Sequence, residues 1–423
     1  MRALLVIALA AASLRAEKID LPSVLRLAGA DSVEVRIAQE RLAEARAEGA
    51  LGDVGHLTDD VLQLPGVVAV GHARREHGEH LPERAVLAGA TLQLSLEIGE
   101  SSYRRLAAKQ LTLAAEHRLE SERRRILLAA SEAYFELSAA QAAADLQDEA
   151  VRLAADLHRQ VTAAVSAGVA ARADEHRAFA QLSRTQIRRE QARDARRTAA
   201  ARLAEIVRLP LQEDLVPVDR RPVALSVPGT ERKLDALVQT ALSRRPEIAE
   251  AEHLDSAARE NLAGARYAPL WPTLGAQVFG GGLGGSPSSA RDDWGRSTDT
   301  QVTLFWRIGA GGLLDSSRVR AAEAAAAQGR LGVERVRDAV TREVVEAHAS
   351  VQANLAATRA AQAGLKSAEE GLKIAAQRRD FAVGAVLETL QSQQDAVQAR
   401  LEAVRTVADL NKSRHRLKAA VGE

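Results

Sequence analysis

Proline is absent from two long stretches of this chain, residues 83–209 and 288–423, and its eleven prolines gather at Pro22, Pro65 and Pro82 and again between Pro210 and Pro287. Proline removes a backbone donor and clashes with the preceding turn, so stretches this long without it leave room for uninterrupted helices. Both stretches are built mainly from Ala, Leu, Arg, Glu and Gln, which are strong helix formers. Helices from about Glu100 to Val165 and from about Leu313 to Asp380 would each extend roughly 100 Å at ~1.5 Å per residue, far beyond a globular core. Leu146, Leu153, Leu157 and Val161 recur at the three- to four-residue spacing of a buried stripe. The expectation is a mainly α protein, an elongated antiparallel bundle or coiled coil in which abundant Ala allows helices to approach closely.

Composition narrows the function classes. There are 57 Lys+Arg against 56 Asp+Glu, so no basic field is available to hold nucleic-acid phosphates. Only 3% of residues are aromatic, which disfavours aromatic-rich sandwiches and most pocketed enzymes. The absence of Cys removes disulfides, thiolate metal sites, Cys nucleophiles and an acylated N-terminal Cys anchor. No G-x-S-x-G, phosphate loop or His-Glu-x-x-His is present, so no catalytic residue, enzyme activity or cofactor is expected. At the N-terminus, Met1-Arg2 and the apolar run Ala3 to Ala12, followed by Ser13-Leu14-Arg15-Ala16, have the form of an export signal over residues 1–16. No later stretch is apolar over the ~18 residues of a spanning helix.

The two halves repeat one another. Thr91-Leu-Gln-Leu-Ser-Leu-Glu-Ile-Gly99 matches Gln301-Val-Thr-Leu-Phe-Trp-Arg-Ile-Gly309 at an offset of 210 positions, and each then enters a long helical stretch. Ser166-Ala-Gly-Val-Ala170 resembles Ala382-Val-Gly-Ala-Val386, and Leu64-Pro65-Gly66-Val67 parallels Trp271-Pro272-Thr273-Leu274. The first repeat, 17–209, reads as a helix (about 21–50), strands about 65–71 and 90–99, a long helix, a bend near 168 and a helix. The second, 231–423, reads as a helix (about 231–266), strands about 272–280 and 299–309, a long helix, a bend near 384 and a helix. A proline-rich linker, 210–230, joins them.

The short segments alternate with period two. Leu92, Leu94, Leu96 and Ile98 fall on one side and Thr91, Gln93, Ser95 and Glu97 on the other; Val302, Leu304, Trp306 and Ile308 oppose Gln301, Thr303, Phe305 and Arg307. Strands of this length with one oily and one polar side approach the ~9–11 residues of tilted transmembrane strands. A soluble sheet beside the bundle is the other arrangement the pattern allows. Four strands cannot close a barrel without leaving open edges in lipid, so a membrane reading requires several chains to share one barrel.

Taken together, the leader, the duplicated half, the paired strands, the Gly bend followed by Leu387-Glu-Thr-Leu-Gln-Ser-Gln-Gln394 and the junction Trp306-Arg-Ile-Gly-Ala-Gly-Gly-Leu-Leu314 resemble the TolC family of outer-membrane efflux proteins. The resemblance implies a homotrimer in the outer membrane of a Gram-negative bacterium, with a shared twelve-stranded barrel in lipid and a long α-helical periplasmic tunnel. It further implies a periplasmic adaptor and an inner-membrane pump of RND, ABC or similar type as partners. Leu92, Leu94, Leu96, Ile98, Val302, Leu304, Trp306 and Ile308 would then face the membrane. The tips Val165, Gly168, Val169, Phe381, Gly384 and Ala385 would dock the adaptor, and Asp174, Glu388 and Gln391 would line the periplasmic aperture. His72, His77 and His80 lie between the first two strands at a spacing that suits neither a helix face nor a strand face, so no metal site is expected there. Trp271 and Trp306 are candidates for an interfacial belt or for packing at the strand–helix junction. An exported coiled-coil scaffold or adaptor without a channel is the alternative.

Overall fold

The computed structural model describes residues 17–54, 68–69, 86–211, 214–229, 231–284, 295–309, 313–380 and 386–423. The leader expected at 1–16, the three histidines and the bend residues Phe381, Gly384 and Ala385 lie outside the described residues. Helix dominates what is described. The proline-free stretches hold α3 (Ile98–Ser166, 69 residues), α4 (Arg172–Val207), α7 (Ser316–Asp380, 65 residues) and α8 (Val386–Val421). No described helix is long and apolar enough to cross a membrane. The chain divides into two compact units, one of residues 1–38, 119–246 and 337–423 and the other of residues 39–118 and 247–336.

In the first unit, β1 (Glu17–Ile19) pairs in parallel with β4 (Leu215–Pro217), Ile19 opposite Pro217. The stretch 210–230 is therefore more than a linker, because it returns a strand to the start of the described chain. A three-residue strand completed by a distant segment leaves no periodic signal in sequence. Its inner residues Ile19 and Leu215 join a core with Val24 and Ala28 of α1 (Leu21–Asp31), Leu137 of α3 and Leu203, Ala204 and Val207 of α4. Ala supplies much of this core, so helices meet at small side chains. The one helix expected over about 21–50 is two: α1 ends at Ser32, whose extended backbone (ψ 136°) breaks it, and α2 (Val33–Val54) follows. Asp20 caps α1 by accepting from the Ser23 N–H at 3.0 Å; the Ser23 side chain first and this N–H second hold its carboxyl below the usual range. Likewise the helix expected over about 231–266 is α5 (Leu234–Arg244) and α6 (Pro246–Tyr267). Pro246 forces the preceding Arg245 into extended geometry (φ −72°, ψ 123°).

Asn411, buried in α8, fixes the linker. Its amide donates to the Val223 carbonyl at 2.8 Å and its carbonyl accepts from the Leu225 N–H at 2.9 Å. One side chain thus satisfies two backbone groups of the chain after β4. Asn411→Ala is expected to leave these backbone groups unpaired and to destabilise the protein by about 1–3 kcal/mol, read as a lowered urea midpoint.

The second unit contains the sheet, of strand order β2-β3-β5-β6 and antiparallel throughout. Its strands are β2 (Val68–Ala69), β3 (Val86–Glu97), β5 (Thr273–Gly284) and β6 (Gly295–Phe305). Compared with the sequence expectation, β3 and β6 start and end earlier and β5 runs longer. The Gly280-Gly281-Gly282 run, which reads as loop, lies in β5 and is matched along its length by β3 and β6. Helical packing in this unit relies on small residues: a side chain added at Gly264 would reach Tyr103 Cβ at 3.0 Å, and one at Gly329 would reach Asp255.

Candidate channel elements

The register of the sheet separates two chemistries. Gln93, Gln277 and Gln301 fall in one row across β3, β5 and β6, and Ser95, Gly275 and Thr303 in the next row of the same parity. Rows of the other parity align Leu94 with Ala276 and Val302, and Leu96 with Leu274 and Leu304. Alternate residues of a strand occupy opposite faces, so over these rows one face is polar and the other apolar, while Phe279 and Phe305 fall on the polar parity and Thr298 and Thr300 on the apolar one. That apolar face is uncovered in the unit, with Val302 69% and Leu304 57% exposed. Among the described residues the sheet is also open, with β2 at one edge and β6, eleven residues long, at the other.

At the strand–helix junction the structure corrects three assignments. Ile98 begins α3, and Trp306 and Ile308 follow the end of β6 at Phe305, so none of them is a strand residue. In the first half the helix starts at once, because the Ser101 and Ser102 hydroxyls bond the carbonyls of residues 97 and 98. In the second, Gly309 takes a left-handed backbone (φ 101°), its N–H donates to the Leu313 carbonyl, and the Leu313 N–H donates to the Arg307 carbonyl. Asp315 then receives the Arg318 N–H at the start of α7. Trp306 donates its indole N–H to the Leu270 carbonyl at 3.2 Å while its ring stays half exposed, as does that of Trp271. Each ring thus combines an anchored or packed base with a free face, as an interfacial position requires.

An ion-pair cluster holds this junction. Arg307 meets Glu97 at 2.9 Å, and these are the equivalent positions of the two halves at the 210-residue offset. Burial works to raise the Glu100 carboxyl, but Arg104 at 2.8 Å and Arg318 outweigh it and keep the carboxyl below its usual range. Gly99 is obligatory here, since a Cβ would lie 2.6 Å from the Ala268 carbonyl oxygen. Gly99→Ala is expected to lower stability by about 1–3 kcal/mol, measured by thermal unfolding. Gly280→Ala, where a Cβ meets nothing within 4 Å, is the control and is expected to have a small effect.

The helix reversal between α3 and α4 belongs to the first unit. Gly168 (φ 75°) closes it, with the Val169 N–H on the Ala164 carbonyl and the Gly168 N–H on the Val165 carbonyl, a Schellman ending. Val165 packs on a small cluster of Leu157, Val161, Ala178 and Leu390, whereas Val169 is 79% exposed at the turn. Asp174 stands in the first turn of α4 and pairs with Arg177 at 2.9 Å. Glu388 stands in the first turn of α8 and pairs with Arg378 of α7 at 3.1 Å. Both carboxylates thus carry an arginine counter-charge that the sequence reading did not assign, although Arg177 at i+3 was visible. Gln391 lines a groove between α4 and α8 together with Gln394, which bonds Gln181.

Residues 237–423 match the sequence family described as outer membrane efflux protein. No curated protein matches the sequence. Solved structures share the fold along nearly the whole chain. The outer membrane protein VceC of Vibrio cholerae has 16% identity and a TM-score of 0.76 over 95% of this chain and 96% of its own. The CmeC outer membrane channel of Campylobacter jejuni has 16% identity and a TM-score of 0.75 over 95% and 85%. The MtrE outer membrane channel of Neisseria gonorrhoeae, in its open state, has 18% identity and a TM-score of 0.74 over 95% and 88%. Residues 237–423 thus match the outer membrane efflux protein family, and the chain shares the fold of these outer membrane proteins.

Proposed function

We propose that this protein is the outer-membrane exit duct of a tripartite efflux or type I secretion system. It would conduct substrates from a periplasmic adaptor and an inner-membrane pump to the exterior. The observation that carries this reading is the sheet: a polar row of three glutamines on one face and an exposed Val302 and Leu304 on the other. Water on one side and hydrocarbon on the other satisfy both faces at once. A soluble scaffold would leave this apolar face and the long β6 edge without a role.

Closure follows from strand count. With four alternating antiparallel strands, β6 would run antiparallel to the β2 of a second copy, so copies could join head to tail without reversing polarity. With a minimum of about eight strands, one chain is insufficient, and three chains give about twelve. The homotrimer, the shared barrel and the two-fold repeat form one proposal, supported by the equal 36-residue lengths of α4 and α8 and by the relatives' fold. On this reading the reversals near Gly168 and Gly384 are the periplasmic tips that meet the adaptor, and Asp174, Glu388 and Gln391 line the aperture.

The aperture assignment makes a signed prediction. Asp174→Asn with Glu388→Gln removes two carboxylates and releases Arg177 and Arg378 from their partners. In planar bilayers, protein from the outer-membrane fraction is expected to form channels whose reversal potential in a salt gradient moves toward anion preference in the double variant. Recovery only from the soluble fraction, with no conductance, would remove the channel reading; conductance with an unchanged reversal potential would remove only these two residues from the aperture.

A further inference from the structure

We propose that His117 of α3 and His253 of α6 form a binding site for a divalent transition-metal ion of the Zn²⁺, Cu²⁺ and Ni²⁺ class, which clips the two helices together within the second unit. Their rings lie 11° from parallel with centres 5.3 Å apart. A tetrahedral ion about 2.1 Å from an imidazole nitrogen stands about 3.2 Å from that ring's centre, so two rings sharing one ion have centres about 5 Å apart. The observed spacing is already that of a shared ion. Both rings are half-buried, so water reaches them, and a turn of either ring brings a nitrogen edge to the common point.

Gln110, earlier on α3, sets which nitrogen is offered. Its side-chain carbonyl oxygen lies 2.8 Å from His253 Nδ1. An amide oxygen only accepts, so Nδ1 carries the proton and Nε2 keeps its lone pair. A carbonyl on the other ring nitrogen is the usual device that orients a ligating histidine. His117 makes no hydrogen bond or ion pair among the described residues and is held by the ring contact. The surrounding charge admits a cation. Within four positions of the pair stand Glu116, Glu120, Glu250, Glu252 and Asp255 and one base, Arg118. Arg46, Arg124 and Arg259 pair with three of these acids, so an entering ion meets no excess of positive charge. No group of three or more His, Asp or Glu cages an ion among the described residues. Water would therefore complete the shell, which suits an exchangeable ion rather than a permanently enclosed one. Two nitrogen ligands also select against Mg²⁺ and Ca²⁺, which take oxygen.

The test is Cu²⁺ titration of the full chain, purified without a histidine tag and carrying His72→Gln, His77→Gln and His80→Gln so that those three cannot answer. Electron paramagnetic resonance then counts the bound imidazoles from the nitrogen hyperfine pattern. The expected result is one Cu²⁺ per chain with a two-imidazole pattern that Mg²⁺ does not displace. His117→Gln and His253→Gln are each expected to weaken binding about 10- to 100-fold and to leave a one-imidazole pattern. Gln110→Leu is expected to weaken binding while keeping the two-imidazole pattern. Unchanged circular dichroism of the metal-free variants excludes misfolding, and the parent's own pattern decides the matter where a variant fails to fold. No saturable binding, a one-imidazole pattern in the parent, displacement by Mg²⁺, or unchanged affinity in either histidine variant overturns the site. Unchanged affinity in Gln110→Leu overturns the positioning role of Gln110.

Discussion

The antiparallel sheet depends on pairing that the described chain does not itself complete. An edge strand of eleven residues offers backbone donors and acceptors that must find water or another strand, and in hydrocarbon only a strand will serve. The apolar parity of the sheet, with Val302 and Leu304 exposed, would make hydrocarbon the favourable surroundings for one face. These two demands together motivate a shared barrel, and the remaining parts are arranged so that the strands pass abruptly into helices. Gly99 and Gly309 permit that passage in two different ways, one by close approach to a carbonyl and the other by a left-handed turn.

The helices solve a different problem. Cores that use many Ala bury little apolar surface at those positions, and the long helices are supplemented by side chains that tie one segment to another. Asn411 satisfies two backbone groups of the linker, and Arg400 reaches both Glu149 and Glu369. Exposed pairs of this kind contribute little singly, but they set which face of a helix meets which neighbour.

Much of this was legible in sequence. Proline-free stretches of good helix formers declared α3, α4, α7 and α8, and period-two alternation declared β3 and β6, because both signals are local and repeat many times. What stayed hidden depends on distant partners or on single residues. The β1–β4 pair joins segments about two hundred positions apart through three residues each. The breaks at Ser32 and Arg245 turn on one residue, and only the second, before Pro246, had a sequence cause that reading could have used. Ile98, Trp306 and Ile308 continue the alternation past the true strand ends, since a hydrophobic pattern does not record where hydrogen-bond pairing stops. The pairing of Glu97 with Arg307 was within reach, as opposite charges at equivalent repeat positions, yet only the structure brings them together.

The cysteine-free chain allows the central claim to be tested directly. Single cysteines at Thr298, Thr300 or Val302 on β6, each combined with one at Val68 or Ala69 on β2, can bridge only where the two edges come within about 7 Å. If the β6 of one copy pairs with the β2 of the next, oxidation of outer membranes will give an SDS-resistant ladder that ends at three chains for at least one combination. Only monomers across the whole panel, from chains that reach the outer membrane, would contradict a shared barrel.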